Sequence, residues 1–156
     1  MIVDATESDS PLLEDIGSRS GVLNDDEMDA LGAVWEEFLL LGPEDSGYEF
    51  LVDRVGDRVS GFVCYGPRDF TDGVFDLHYL VVDPDSRRQS VGRRLLRAAE
   101  AESREAGARM MVAETSTAAR YAGIEDFFTK AGFQPEARIK DLYAAGEDMV
   151  VFVKRF

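Results

Sequence analysis

Apolar residues recur at helical spacing in the first third of the chain. Between residues 28 and 39 they fall every three or four positions, which predicts one face of a helix packed on a core. Asn24 is a typical N-cap residue, and Glu27 three positions later completes the pattern of a capping box. A Gly-Pro pair at residues 42–43 is expected to end this helix.

Strand patterns follow the helix. Residues 48–54 and 59–65 predict a hairpin with a Gly-Asp turn between its strands. Residues 74–82 predict a strand that is almost continuously apolar towards its end, as central strands are. The other predicted elements are a strand start at residues 2–3, helices over residues 11–18, 91–107 and 124–132, and strands over residues 110–114, 139–143 and 149–154.

This order of elements predicts an α+β or α/β fold in which helices cover one mixed sheet. A chain of 156 residues, 45% of them hydrophobic, fits a single domain over residues 1–156 whose core needs no metal or disulfide. Cys64, the single cysteine, leaves no partner for an intramolecular disulfide, and its apolar strand predicts a buried, inert thiol. Because we find neither a signal-peptide pattern nor an apolar run of membrane-spanning length, we expect a cytoplasmic protein.

Acidic residues outnumber basic ones by 31 to 17, which gives a net charge of −14. Such a field repels nucleic-acid phosphates and anionic membranes, so neither is an expected partner. It could attract a cationic substrate such as an amine. It could also serve solubility or reflect a salty cytoplasm, and the dispersion of the acids along the chain favours this second explanation.

A basic turn interrupts the acidic sequence after the third predicted strand. Four arginines surround the start of the next predicted helix, at positions 87, 88, 93 and 94. Unpaired backbone N–H groups and the helix dipole favour anions at such a helix start, and Gly92 lets the backbone approach a ligand closely. The turn therefore predicts a phosphate or pyrophosphate site, unless the arginines only solvate the helix start and balance the acids. It is neither a Walker loop nor a three-glycine dinucleotide fingerprint.

Residues 87–92, Arg-Arg-Gln-Ser-Val-Gly, resemble the Gln/Arg-x-x-Gly-x-Gly/Ala motif of the GNAT superfamily of N-acetyltransferases. In that family the motif follows the fourth strand and binds the pyrophosphate of acetyl-CoA. Ser90 stands where the first glycine of the motif is expected, and a positive φ at this position would cost energy. The segments that look like one bacterial and archaeal branch of the superfamily are residues 61–67, 114–116, 127–133 and 141–148.

The resemblance implies an acyl-CoA N-acyltransferase fold with a twisted, mostly antiparallel sheet flanked by helices. It implies an enzyme that transfers an acetyl group directly from acetyl-CoA, its co-substrate, to a small amine or a peptide amino group in a ternary complex, without a metal. Homodimers through the C-terminal strands are frequent in the superfamily, and the apolar residues 150–153 suit such an interface or a central strand equally. The expected cofactor-binding residues are Leu80, Val81, Val82, Arg87, Arg88, Gln89, Ser90, Val91, Gly92, Arg93, Tyr121 and Phe128.

Acetyl transfer to an amine needs a group that takes the proton of the amine. Asp76 falls where histone acetyltransferases of the superfamily place their glutamate base, so it is the first candidate. Strand alternation predicts Asp76, His78 and Leu80 on one face of their strand and Tyr79 on the other. His78 is the only histidine, and the unperturbed pKa of a histidine suits proton transfer near neutrality. Glu114 is an alternative base, but it could equally pair with an arginine and orient a loop. An edge carboxylate in solvent and a histidine satisfied in the core would give the same sequence pattern.

The departing thiolate of the cofactor benefits from a proton donor, which the superfamily usually supplies as a tyrosine shortly before a Gly-Phe pair. Phe128 holds that position, and a phenyl ring cannot donate a proton. Tyr121 and Tyr143 are candidate substitutes, and we include Tyr143 among the catalytic candidates. The departure also motivates a second hypothesis, a catalytically degenerate acyl-CoA-binding or regulatory module. In a third, an interaction protein kept the scaffold and lost the pocket.

Overall fold

The computed structural model describes all 156 residues, and its centre is a seven-stranded sheet of order β1-β2-β3-β4-β5-β7-β6. The strands are β1 (Ile2–Asp4), β2 (Glu49–Val55), β3 (Arg58–Pro67), β4 (Val74–Val82), β5 (Met110–Ser116), β6 (Gln134–Ala144) and β7 (Glu147–Arg155). Neighbouring strands are antiparallel except β4 and β5, which are parallel. The mixed α/β architecture expected from the sequence is therefore confirmed.

Four helices cover the two faces of the sheet. They are α1 (Ser10–Arg19), α2 (Asp25–Ser46), α3 (Val91–Glu105) and α4 (Ile124–Lys130), with short 3₁₀ turns at Glu7–Asp9, Pro84–Ser86 and Ala119–Tyr121. One buried cluster joins the sheet to α3 and α4, and the other joins it to α1 and α2. None of the helices combines the length and apolar composition that crossing a bilayer requires.

The long helix α2 begins as the sequence predicts and ends differently. The Asn24 side chain accepts a hydrogen bond from the Glu27 N–H at 2.8 Å, which caps the helix. Gly42 has a φ of 74° and interrupts the helix, but Pro43 opens one further turn that runs to Ser46. Proline suits the first turn of a helix, where no N–H is needed, so the predicted end is instead a kink.

Cys64 lies in the cluster under α1 and α2 and is fully buried. The prediction of a buried cysteine is therefore confirmed. Burial, together with the charge of Glu49, raises the pKa of the thiol well above the ordinary value, which agrees with the expected low reactivity.

A β-bulge in β4 changes which side chains share a face. Cys64 pairs with Tyr79 and Tyr65 pairs with Leu77, so His78 is an extra residue with no partner on β3. Beyond the bulge the alternation is reversed, because one inserted residue exchanges the two faces of a strand. The predicted grouping of Leu80 with Asp76 and His78 is therefore wrong. Leu80 packs with the α3 cluster, and Tyr79 packs with the α2 cluster.

The strands β4 and β5 separate soon after they meet. Their pairing consists of Val74 with Met110, Phe75 with Met111 and Asp76 with Val112. We call the last of these pairs, Asp76 with Val112, the vertex. Beyond it, β4 stays paired with β3, while β5 stays paired with β7. The sheet consequently opens as a wedge from its middle towards one end. The strand β7 lies between β5 and β6, so residues 150–153 form part of a central strand.

Candidate functional site

The wedge between β4 and β5 is the floor of a cleft of about 820 Å³. The segment that links α1 to α2, the 3₁₀ turn Ala119–Tyr121 and the ends of β6 and β7 surround it. No group of three or more His, Cys, Asp or Glu side chains in the chain could hold a metal ion. The residues that line the cleft are Val22, Leu23, Asn24, Asp26, Glu27, Ala30, Arg68, Asp76, Leu77, His78, Tyr79, Leu80, Val81, Val112, Ala113, Glu114, Thr115, Ser116, Arg120, Tyr121, Ile124, Phe128, Tyr143 and Glu147.

One edge of β4 is open to this cleft over residues 77–82. Its backbone N–H and C=O groups on that side have no partner strand, because the pairing with β5 ends at Asp76. Leu80 and Val81 line the cleft, and Val82 continues towards the basic turn. An extended ligand could pair with this edge as an added strand does.

The basic turn lies beside the open end of β4. Arg88 and Ser90 have φ values of 63° and 59°, and α3 begins directly afterwards at Val91. The side chain of Val91 is buried in the core, which leaves only its backbone for a ligand. A Cβ placed on Gly92 would lie 3.5 Å from ring atoms of Phe127, so the turn also contacts α4.

Two of the four arginines of the turn are engaged within the protein. Arg87 donates to the carbonyl oxygen of Ser20. Arg94 binds the buried Asp53 carboxylate and donates to the Gln89 carbonyl oxygen at 2.6 Å. Arg88 and Arg93 are exposed, and no hydrogen bond or ion pair joins them to the rest of the chain. The Gln89 side chain is exposed as well.

A charged cluster occupies the vertex of the wedge. The Arg68 guanidinium binds both carboxylate oxygens of Asp76 at 2.7–2.9 Å and lies 3.6 Å from an oxygen of Glu114. Asp76 is largely buried by this pairing, whereas about half of the Glu114 side chain is exposed. The Asp76 carboxylate, our first candidate base, is therefore engaged by three hydrogen bonds from Arg68. No sequence motif marks Arg68 as part of this cluster.

His78 projects from the bulge into the cleft. Its ring meets the Tyr48 ring edge-on, with centroids 5.2 Å apart. Burial lowers the pKa of His78 below its ordinary value, and the charge of Arg68 adds to this, against the opposing charges of Asp76 and Glu114. A lowered pKa favours the neutral imidazole, whose unprotonated ring nitrogen can accept a proton.

The hydroxyl groups of the cleft come from outside α4. Phe128 is buried against Phe133, with ring centroids 5.1 Å apart, and offers no donor. The Tyr121 hydroxyl donates to Glu27 at 2.6 Å, while Tyr143 is half exposed. Burial raises the pKa of both tyrosines, and nearby Glu27 adds to this, so both hydroxyls are protonated at neutral pH.

Glu27 is a residue of the cleft that sequence reasoning placed elsewhere. Its carboxylate accepts from Tyr121 and from Arg120, the latter at 2.5 Å. The capping-box motif correctly located the helix start, but the side chain of its acidic member joins α2 to the turn Ala119–Tyr121 across the cleft.

Comparisons with known proteins agree on one family. Residues 12–133 match the model of the acetyltransferase (GNAT) family. The chain is similar to a GNAT-family protein from Desulfovibrio desulfuricans, with a TM-score of 0.94, 30% identity and coverage of 99% of this chain and 98% of that one. It is also similar to the ribosomal-protein-S18-alanine N-acetyltransferase from Escherichia coli (TM-score 0.80, 18% identity, 99% and 92% coverage). A third similar structure is yncA from Salmonella typhimurium with acetyl-CoA (TM-score 0.77, 22% identity, 99% and 92% coverage). No curated protein matches the sequence.

Proposed function

The chain belongs to the acetyltransferase (GNAT) family, and on that premise we propose that it is an acetyl-CoA-dependent N-acetyltransferase. Its acceptor is a small amine or a peptide amino group, and transfer is direct within a ternary complex. The observation that carries the proposal is the separation of β4 from β5, which leaves one edge of β4 open along a cleft.

The residues around the open edge fit acetyl-CoA, which supplies the thioester that carries the acetyl group. The backbone of Leu80 to Val82 would pair with the extended pantetheine chain. Arg88 and Ser90 have left-handed backbone conformations, which orient successive backbone N–H groups at the start of α3. Such an arrangement binds anions. Arg88 and Arg93 have guanidinium groups that no carboxylate occupies, in a chain with 31 acidic residues. These groups would bind the pyrophosphate.

The cleft also supplies groups for the transfer itself. The amine must lose a proton before its nitrogen can form the amide bond, and the neutral His78 ring or the half-exposed Glu114 carboxylate can take that proton. As the new C–N bond forms, the C–S bond breaks and sulfur keeps the electron pair. A backbone N–H of the open β4 edge can polarise the carbonyl group.

The missing tyrosine of α4 does not prevent release of the thiol. A thiol with an ordinary pKa of about 8.5 is a tolerable leaving group as its thiolate. Tyr143, a protonated and half-exposed hydroxyl on the rim of the cleft, can supply the proton that sulfur finally takes. Tyr121 is less free, because its hydroxyl already donates to Glu27.

Phe128 also supports a second candidate function, a module that binds acyl-CoA without transferring its acyl group. The ring is buried and the hydroxyl expected in the family is missing. The substitution Phe128→Tyr separates the two functions. Acetyl transfer that appears only in F128Y favours a binding module, whereas transfer by both proteins favours an enzyme.

Release of free CoA thiol from acetyl-CoA, followed across a panel of small amines and peptides, tests the proposed function. We expect release that depends on the added amine, together with a mass increase of one acetyl group on that amine. The double variant R88Q/R93Q is the control for background hydrolysis, since it should bind acetyl-CoA weakly at the same concentration. Binding of acetyl-CoA without amine-dependent release would contradict the enzyme proposal.

A further inference from the structure

Arg68 connects the two strands of the wedge where they separate. Its guanidinium holds Asp76 on β4 through three contacts of 2.7–2.9 Å and reaches Glu114 on β5 at 3.6 Å. His78, on the β4 bulge, follows Asp76 by two residues and lines the same cleft. Arg68 thus pairs with Asp76 and Glu114, the two carboxylates that act on His78.

The backbone of Arg68 makes two hydrogen bonds within the loop between β3 and β4. The Arg68 N–H donates to the carbonyl oxygen of Val74 at 2.8 Å and closes the loop between β3 and β4. The Arg68 carbonyl oxygen accepts from the Thr71 hydroxyl at 2.7 Å. The side chain therefore extends from a hydrogen-bonded loop.

The charges around His78 show why this placement matters. The carboxylates of Asp76 and Glu114 favour the charged imidazolium, while Arg68 and burial favour the neutral ring. On its other side, the ring meets Tyr48, and the charges of Glu37 on α2 and Asp69 in the β3–β4 loop act on that tyrosine. Arg68 is thus the cation whose charge opposes Asp76 and Glu114 at His78.

We propose that Arg68 is a positioning residue: it takes Asp76 and Glu114 as its own partners, so that His78 remains the free proton acceptor of the cleft. This inference rests on the proposed function. The proton leaves the ammonium nitrogen of the acceptor and binds the unprotonated ring nitrogen of His78. The lone pair left on the amine then forms the C–N bond of the amide as the C–S bond breaks.

The first test follows the single histidine by NMR, without any substrate. In R68Q the pKa of His78 should rise, because two carboxylates lose their neutralising partner. In the double variant R68Q/D76N the pKa should return towards the wild-type value. The matched control is R109Q, which removes a cation that contacts Asp72 in the same loop, outside the cleft. An unchanged or lower pKa in R68Q would overturn the proposal.

The second test uses the rate of acetyl transfer as a function of pH. H78Q should lower kcat by about 100-fold or more, the usual contribution of a general base. In R68Q the acidic limb of kcat/KM should move to higher pH, with less change in KM, and R68K should restore part of the wild-type profile.

The outcomes separate this inference from the proposed function. Full activity in H78Q, with loss of activity in E114Q, would overturn the role of His78 and leave the acetyltransferase proposal standing. Absence of amine-dependent transfer by the wild-type protein would overturn both.

Discussion

The two free arginines of the basic turn give the most specific expectation for cofactor binding. We would change Arg88 and Arg93 to glutamine, singly and together. A guanidinium has five N–H donors, and neither residue uses any of them within the protein. Arg87 and Arg94, by contrast, are engaged with Ser20 and Asp53, and their loss would disturb the fold as well.

The magnitude follows from the exposure of the two side chains. Hydrogen bonds to charged groups contribute about 1.5–3 kcal/mol, and exposed ion pairs contribute about 1 kcal/mol or less. Each arginine would form charged hydrogen bonds to the pyrophosphate from an exposed side chain, so we expect a value between these two ranges. We take about 1.4 kcal/mol each, which is a tenfold rise in Kd for acetyl-CoA. If the two contributions are independent, the double variant should bind about a hundredfold more weakly.

Isothermal titration calorimetry with acetyl-CoA measures this directly. R104Q is the matched control, because Arg104 lies near the other end of α3, where it contacts the ring of Phe156. R104Q removes the same charge and should change Kd by less than about threefold, since the charge is screened over more than a Debye length. Equal losses in R104Q and R88Q would show that net charge, rather than the turn, determines affinity and would refute the reasoning.

Two further predictions concern stability. S90G relieves the cost of a left-handed serine, which is about 1–2 kcal/mol. The greater chain entropy of glycine in the unfolded state offsets about 0.4–1 kcal/mol of this gain, so urea unfolding should show equal or slightly higher stability. A clear loss of stability would contradict the strain at Ser90. Burial acts to raise the pKa of Asp83, but hydrogen bonds from Arg58 and Arg19 outweigh it and lower the pKa below its ordinary value. The stabilisation from Asp83 is present above the unfolded pKa of about 3.9 and is lost as pH falls through the lower folded pKa. D83N should therefore be less stable at pH 7 and show a smaller loss below about pH 4, and parallel unfolding curves for the two proteins would contradict this.

The fold could be predicted from the sequence because its signals are local. The bounds of β4 were predicted correctly, since its apolar run ends at an Asp-Pro pair that cannot continue a strand. The start of α2 followed from the Asn24 cap in the same way. The bulge at His78 has no such signal. The alternation of side chains along a single strand does not reveal an extra residue until the pairing with the neighbouring strand is known.

The position of the candidate site could be predicted from the sequence. Which of its side chains are already engaged by other residues could not. Four arginines in a turn look alike in sequence, yet Arg94 is engaged by Asp53, which lies 41 residues earlier in the chain. Asp76 had the expected spacing for a base, and only the folded structure places Arg68 on both of its oxygens. Such pairings depend on long-range geometry, which a single sequence does not reveal.

The central claim is that acetyl-CoA binds along the open edge of β4 and the turn behind it. Amide hydrogen exchange with and without acetyl-CoA measures this residue by residue. We expect slower exchange over residues 79–82 and 87–92 on binding, and unchanged exchange in the exposed outer strand β6. Binding that leaves the exchange of residues 79–82 and 87–92 unchanged would contradict the account.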